Sequence, residues 1–191
     1  AYTSNVQTVE IEPLVELEGI RQIKFDPTGA DEYSKVVRSN LRRDPDVLSV
    51  AEIPDQATAQ EIANADLERS RVYASVTADT AMNAVRLWVK AVGDPALASK
   101  GLRGVVAERL IRHLCTNCRV PYQPPPELLK KLQLPSKIQQ LYKKGGQVLV
   151  KNKPEVCPVC NGIGYEAQLG IFEIYPIGAE ERACIAKQDW N

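Results

Sequence analysis

Two C-x-x-C pairs, Cys115-Thr116-Asn117-Cys118 and Cys157-Pro158-Val159-Cys160, constrain this 191-residue chain more than any other feature. A two-residue spacing lets one backbone turn present two thiolates to the same ion, and two such turns complete a closed tetrahedral site. The 38 residues between the pairs exceed the usual separation of a zinc ribbon. An inserted helical hairpin accounts for the excess, since the entropy of closing a loop grows slowly with its length. Persistent disulfides do not suit a cytosolic chain, and a redox C-x-x-C normally stands alone at a strand-to-helix junction. The pattern predicts one structural zinc ion on Cys115, Cys118, Cys157 and Cys160, with no open position for a catalytic water. His113 is a poorer ligand candidate than any of the four. Cys184, among Ala183, Ile185 and Ala186, reads as a small core residue.

The rest of the composition is that of an ordinary globular protein, with 44% hydrophobic and 25% charged residues and zero formal net charge. A disordered, fibrous or collagen-like chain is excluded. No apolar run reaches the ~18 to 20 residues of a membrane-spanning helix, and residues 1–7 lack the regions of a signal peptide. The chain therefore reads as cytoplasmic. Starting at Ala1 with one Met at position 82, it also reads as part of a longer gene product. The charge is unevenly spread. Lys100 to Lys153 carries twelve Lys or Arg against Glu108 and Glu127. That stretch has no interleaved run of aromatics to stack bases, so nucleic acid is not expected.

Alternating patterns place one or two strands in Val6 to Val15, and a helix from Thr28 or Asp31 to about Arg43, with Tyr33, Val36, Val37 and Leu41 as its apolar stripe. A buried strand follows at Val47 to Ile53, then a helix from Gln56 to about Glu68 capped by Asp55. A second buried strand at Val72 to Val76 and a helix from Thr80 to Val92 complete the alternation. Strands alternating with helices predict an α/β fold, with a mostly parallel sheet covered on both faces. Past Gly93-Asp94-Pro95, a helical stretch is expected from about Leu97 to His113. A helix at Glu127 to Tyr142, interrupted at Pro135, and a short strand at Gln147 to Val150 should follow. The domain reading is 1–113 for the α/β domain, 114–165 for the cysteine module and 166–191 for a segment returning to the α/β domain.

Glu52 falls at the carboxyl end of the Val47 to Ile53 strand, where open α/β sheets bind ligands. It can polarise a water there, or simply cap a helix or pair with an Arg.

Several segments together resemble the secretion ATPases of type II secretion and type IV pilus assembly systems. Thr8-Val9-Glu10 with Glu12-Pro13 is similar to that family's aspartate box, with one residue inserted. Arg38 to Asp46, ending L-R-R-D-P-D, and Val47 to Asp55 resemble its Walker B segment. Arg109 to Cys115, Cys157 to Tyr165 and Gly170 to Glu173 resemble its four-cysteine module. The resemblance implies a RecA-like P-loop NTPase-type sheet with a zinc subdomain. It implies that Glu52 is the Walker B glutamate, that Glu10, Glu12 and Asp46 are nucleotide-associated, and that the four cysteines hold zinc. It further implies association with copies of itself or a paralogue, in a ring, and contact with the cytoplasmic part of an inner-membrane assembly protein.

The departures bear on activity. No G-x-x-x-x-G-K-[ST] occurs in the 191 residues, so ATP and magnesium are expected only with a phosphate loop lying upstream. Ala51 stands where the family has Gly, Pro54 where it has Arg, and Thr77 where it has the histidine of the segment Ala74 to Asp79. A hydroxyl cannot take over an imidazole's proton chemistry. Ala167 and Gln168 replace a Gly and an Arg. The expected function is an assembly or interaction role with degenerate nucleotide chemistry. The alternatives are an active motor, or a zinc-dependent adaptor suggested by C-x-x-C-x-G-x-G at Cys157 to Gly164.

Overall fold

The computed structural model describes residues 3–190. Strands β1 (Val6–Glu10), β2 (Arg21–Lys24), β3 (Val47–Val50) and β4 (Arg71–Ala74) form one parallel sheet in the order β2-β1-β3-β4. Helices α1 (Tyr33–Leu41), α2 (Gln56–Ala63), α3 (Ala81–Val92) and α4 (Pro95–Lys100) alternate with or follow the strands. The chain divides into two compact units. The residues up to Ala107 and those from Glu173 onward form unit 1; Glu108–Phe172 form unit 2.

Local chemistry explains the helix limits in unit 1. The Asp55 carboxylate accepts the Thr58 N–H at 2.7 Å to start α2, and the Thr80 hydroxyl oxygen accepts the Asn83 N–H at 3.2 Å to start α3. Gly93 ends α3 at φ +80°, a left-handed conformation that costs a glycine nothing. The core has two centres. Val9, Val37, Leu48, Val50 and Ile62 pack in one, and Ala59, Val85, Val89, Val92, Ile177 and Ile185 in the other, with Trp88 packed against both. Trp88 donates its indole N–H to the Ala98 carbonyl at 2.9 Å, so its one polar atom is satisfied.

The expectation of a parallel α/β sheet holds, and burial on both faces holds for β1, where Gln7, Thr8 and Val9 are all buried. It fails at β4, which lies at the sheet edge with Tyr73 exposed. The second strand sought in Val6 to Val15 lies further on, at β2, because the intervening residues form an exposed loop. Helix α1 is shorter than expected: it begins after Glu32 and stops at Leu41. Helix α2 ends at Ala63, where Asn64 takes over.

The largest difference is at Leu97 to His113. Helix α4 stops at Lys100, and Gly104–Leu114 is strand β5, which pairs with β10 (Tyr165–Pro176). The residues V-V-A-E-R-L-I-R carry both alternation and good helix propensity, and a partner some sixty residues away decides the outcome. In unit 2, the helix expected over Glu127 to Tyr142 shortens to α5 (Pro126–Lys131), and Gln133 adopts φ +53° beyond it. Leu141–Lys143 is strand β7, antiparallel to β6 (Val120–Tyr122). The expected strand at Gln147–Val150 is present as β8, in a hairpin with β9 (Lys153–Val156). The last helix, α6 (Ala179–Lys187), turns Ile185 inward and leaves Cys184 exposed. The core role expected for Cys184 is thus overturned by helical phase, since adjacent residues point about 100° apart.

Among the described residues no helix is long and apolar enough to cross a membrane.

Candidate metal centre and acidic strand ends

Residues 115 and 157 lie over forty positions apart, yet unit 2 brings all four cysteines to one buried point. The ligand-atom sulfurs lie within 4.8 Å of one another, with Cys115–Cys157 at 3.9 Å and Cys118–Cys160 at 3.6 Å. Four sulfurs at about 2.3 Å from a tetrahedral zinc are separated by ~3.8 Å, so the donor set fits this ion. None of the five cysteines is in a disulfide.

Each knuckle is braced by a glycine segment beside the other. The Cys115 N–H donates to the Gly164 carbonyl at 3.0 Å, and the Cys157 N–H to the Gly146 carbonyl at 2.9 Å. Backbone Gly164 N–H and the Asn117 side-chain amide donate to the sulfurs of Cys160 and Cys157, at 3.1 Å and 3.3 Å. The Asn117 bond leads the causes that lower the Cys157 pKa to about 6, whereas burial raises that of Cys118 to about 12. A divalent cation would remove the conflict between these thiols by stabilising every thiolate at once. Gly145 is required by close approach, because a Cβ there would stand 1.7 Å from the Cys118 carbonyl oxygen. His113 is not part of the cluster. Its Nδ1 lies 3.3 Å from Glu166, which also accepts the Thr116 N–H.

In unit 1, β1 and β3 run side by side with Val9 opposite Val50, so both strands end at the same level. The chain leaves β1 toward β2 and leaves β3 toward β4, which makes this the switch point of the sheet. Glu10 and Glu52 stand at those two carboxyl ends. Glu10 is held by the Thr8 hydroxyl at 2.5 Å and the Gln22 amide at 3.3 Å, while Glu52 is exposed. Glu12 is exposed on the loop after β1. Asp46 is not brought together with these acids. It precedes β3, at the opposite end of the strand from Glu52, about 20 Å away along an extended backbone. There it accepts the Asn5 N–H at 2.6 Å.

The residue that sequence reasoning missed is Tyr33, read only as part of an apolar stripe. Its buried hydroxyl donates to the Val9 carbonyl at 3.0 Å, at the end of β1. Burial, then the charge of Glu52, with a smaller contribution from Glu10, raises its pKa to about 12. A tyrosine in an otherwise aliphatic stripe was the available signal, since a buried phenol needs a partner. The raised value means that Tyr33 stabilises the fold fully below pH ~10, and that this contribution fades as pH rises toward 12. Tyr33→Phe should cost about 1 kcal/mol at neutral pH. The gap from wild type in urea unfolding should narrow between pH 10 and 12.

The segment after β4 begins beside the end of β3, with the Ser75 N–H donating to the Val50 carbonyl at 3.1 Å. At the start of α3, the Ala81 N–H is taken by the Glu173 carboxylate at 3.0 Å, an anion suited to a helix N-terminus. Two carboxylates at a switch point can order a water or a hydrated cation. Nothing among these residues forms a phosphate cradle.

A parallel α/β sheet with acids at the carboxyl ends of β1 and β3, in a chain that also carries a four-cysteine module, defines the class of chain. It belongs to the family described as Type II/IV secretion system protein, whose model matches residues 2–191. The type IV pilus assembly ATPase PilB of Thermus thermophilus is 33% identical over 184 residues, covering 95% of this chain and 20% of that protein. The type II secretion system ATPase E of Vibrio cholerae is 34% identical over 170 residues, covering 89% of this chain and 32% of that protein. The chain thus spans only a fifth to a third of these relatives. Among solved structures, the pilus retraction motor PilT with bound ADP superimposes with TM-score 0.54 at 16% identity, covering 96% of this chain and 41% of that one. The Yersinia pseudotuberculosis ATPase DotB gives 0.58 at 11% identity, covering 96% and 40%. These likenesses support the fold alone.

Proposed function

We propose that this chain is the RecA-like C-terminal part of a secretion or pilus ATPase that acts mainly in assembly, its nucleotide chemistry weakened and its four cysteines closed on a structural zinc. The observation that carries this reading is the segment that follows β4. Thr77 stands where the resembled family carries a histidine, and a hydroxyl does not take over an imidazole's proton chemistry, so the acids are kept without that base. The partners of such a component are copies of itself or a paralogue, and the cytoplasmic part of an inner-membrane secretion protein. Its place is the cytoplasmic side of that membrane.

The geometry of Glu10 and Glu52 favours a second reading, an active motor in which Glu52 orients the attacking water and a phosphate loop upstream binds Mg-ATP. Both readings meet in one experiment. The protein extended upstream is assayed for magnesium-dependent ATP turnover, beside Glu52→Gln and Thr77→His. Under the assembly reading, turnover stays at background and Glu52→Gln leaves it there. Robust turnover that falls by about 100-fold or more in Glu52→Gln establishes the motor instead.

A further inference from the structure

We propose that the loop between β1 and β2 is a docking element for a second copy of this chain, and that it engages the β8–β9 hairpin of that copy. The proposal develops the self-association part of the preceding section and needs no nucleotide chemistry.

The loop displays apolar side chains without hiding them. Leu14 is 93% exposed, Val15 65% and Leu17 42%. Single exposed leucines are unremarkable, but three within four positions on one ordered loop form a patch. The order comes from Gln22. Its side-chain oxygen accepts the Leu17 N–H at 2.7 Å, and its side-chain nitrogen donates to the Val15 carbonyl at 2.9 Å. A turn closes beside it, with the Ile20 N–H on the Leu17 carbonyl at 3.2 Å and Gly19 at φ +74°. A loop already held in shape loses little entropy when it docks.

Charge selects the occupant. Residues 10–19 contain Glu10, Glu12, Glu16 and Glu18 and no Lys or Arg. Such a loop is repelled by anionic lipid and by nucleic acid, so its partner is a protein surface with an apolar centre and a basic rim. The chain itself carries one. In the β8–β9 hairpin Leu149 pairs with Pro154 and Gln147 with Val156, which puts Leu149, Pro154 and Val156 on one face. Leu149 is 75% exposed and Val156 64%, whereas Val148, on the other face, packs against the buried cysteines. Residues 143–163 carry Lys143, Lys144, Lys151 and Lys153 against Glu155. Loop and hairpin are therefore complementary in both polarity and charge. A contact between two different surfaces can be reciprocal in a two-fold dimer or can repeat head-to-tail from copy to copy.

The test is sedimentation velocity on the metal-loaded 191-residue chain, up to its solubility limit, at low and high salt. Wild type should associate, and added salt should weaken the association. The loop variant E12K/E16K/E18K and the hairpin variant K143E/K151E/K153E should each associate at least about tenfold more weakly. Mixing the two variants one to one should restore association, since the reversed loop of one then meets the reversed hairpin of the other. Leu14→Ser should weaken it with no change of charge. Circular dichroism and metal content verify that each variant is folded. A wild type that stays monomeric, variants that associate as wild type does, or a mixture that fails to recover would each overturn the proposal. In the last two cases self-association itself stands, by another surface.

Discussion

Stripping the metal from the four cysteines should abolish the fold of Glu108–Phe172 and leave unit 1 standing. Unit 2 is too small to hold itself together by burial. Apart from Pro124 and Leu129, its buried apolar side chains are those of Cys115, Cys118, Cys157 and Cys160, joined by the partly buried Val148. Domains of about 65 residues bury little of their surface and commonly need a staple. A zinc ion on the four cysteines would supply it, with binding worth ~10 to 16 kcal/mol in sites of this kind at neutral pH. None of the residues in the two core clusters of unit 1 comes from Glu108–Phe172, so that unit has no stake in the metal. The measurement is an amide NMR spectrum before and after excess chelator, repeated for Cys157→Ser. Signals from unit 2 should collapse to the narrow dispersion of an unfolded chain. Retention of those signals with the metal removed would refute the assignment.

Leu48→Ala should be the most damaging single change among the aliphatic residues of β3. Leu48 is fully buried, and β3 is paired on both sides, with β1 and with β4. The side chain packs in the cluster with Val9, Val37 and Ile62. Loss of transfer energy and the residual cavity together cost about 2 to 5 kcal/mol, equivalent to a fall of roughly 10 °C in the Tm of unit 1. Leu149→Ala removes the same atoms from a side chain that is 75% exposed, and should change stability by less than ~0.5 kcal/mol. Calorimetry on the two variants separates them. The comparison matters for function, because β3 also carries Glu52 to the switch point, and a loosened strand would misplace that carboxylate.

The limits of sequence reading show at particular residues. The C-x-x-C pairs could be read directly because two ligands on one turn are a local arrangement with few other uses. The same holds for Asp55 as the cap of α2, and for the alternation of strands and helices in residues 47–92. Residues 104–114 were misread as helix because their propensities were balanced, and pairing with β10 settled the matter. Asp46 and Glu52 looked like neighbours in a motif, yet an extended strand sends them to opposite ends. Tyr33 escaped notice because its hydroxyl bond is to a residue 24 positions earlier.

By itself, then, the sequence determined the four-cysteine donor set, the α/β class and the family, all of which rest on short spacings and local periodicity. Only the tertiary structure decided which acids share the switch point, that Tyr33 bonds the end of β1, and that Leu14 and Leu149 face solvent. Those outcomes depend on which distant segments pair, and strand order and register are properties of the whole sheet rather than of any one stretch of chain.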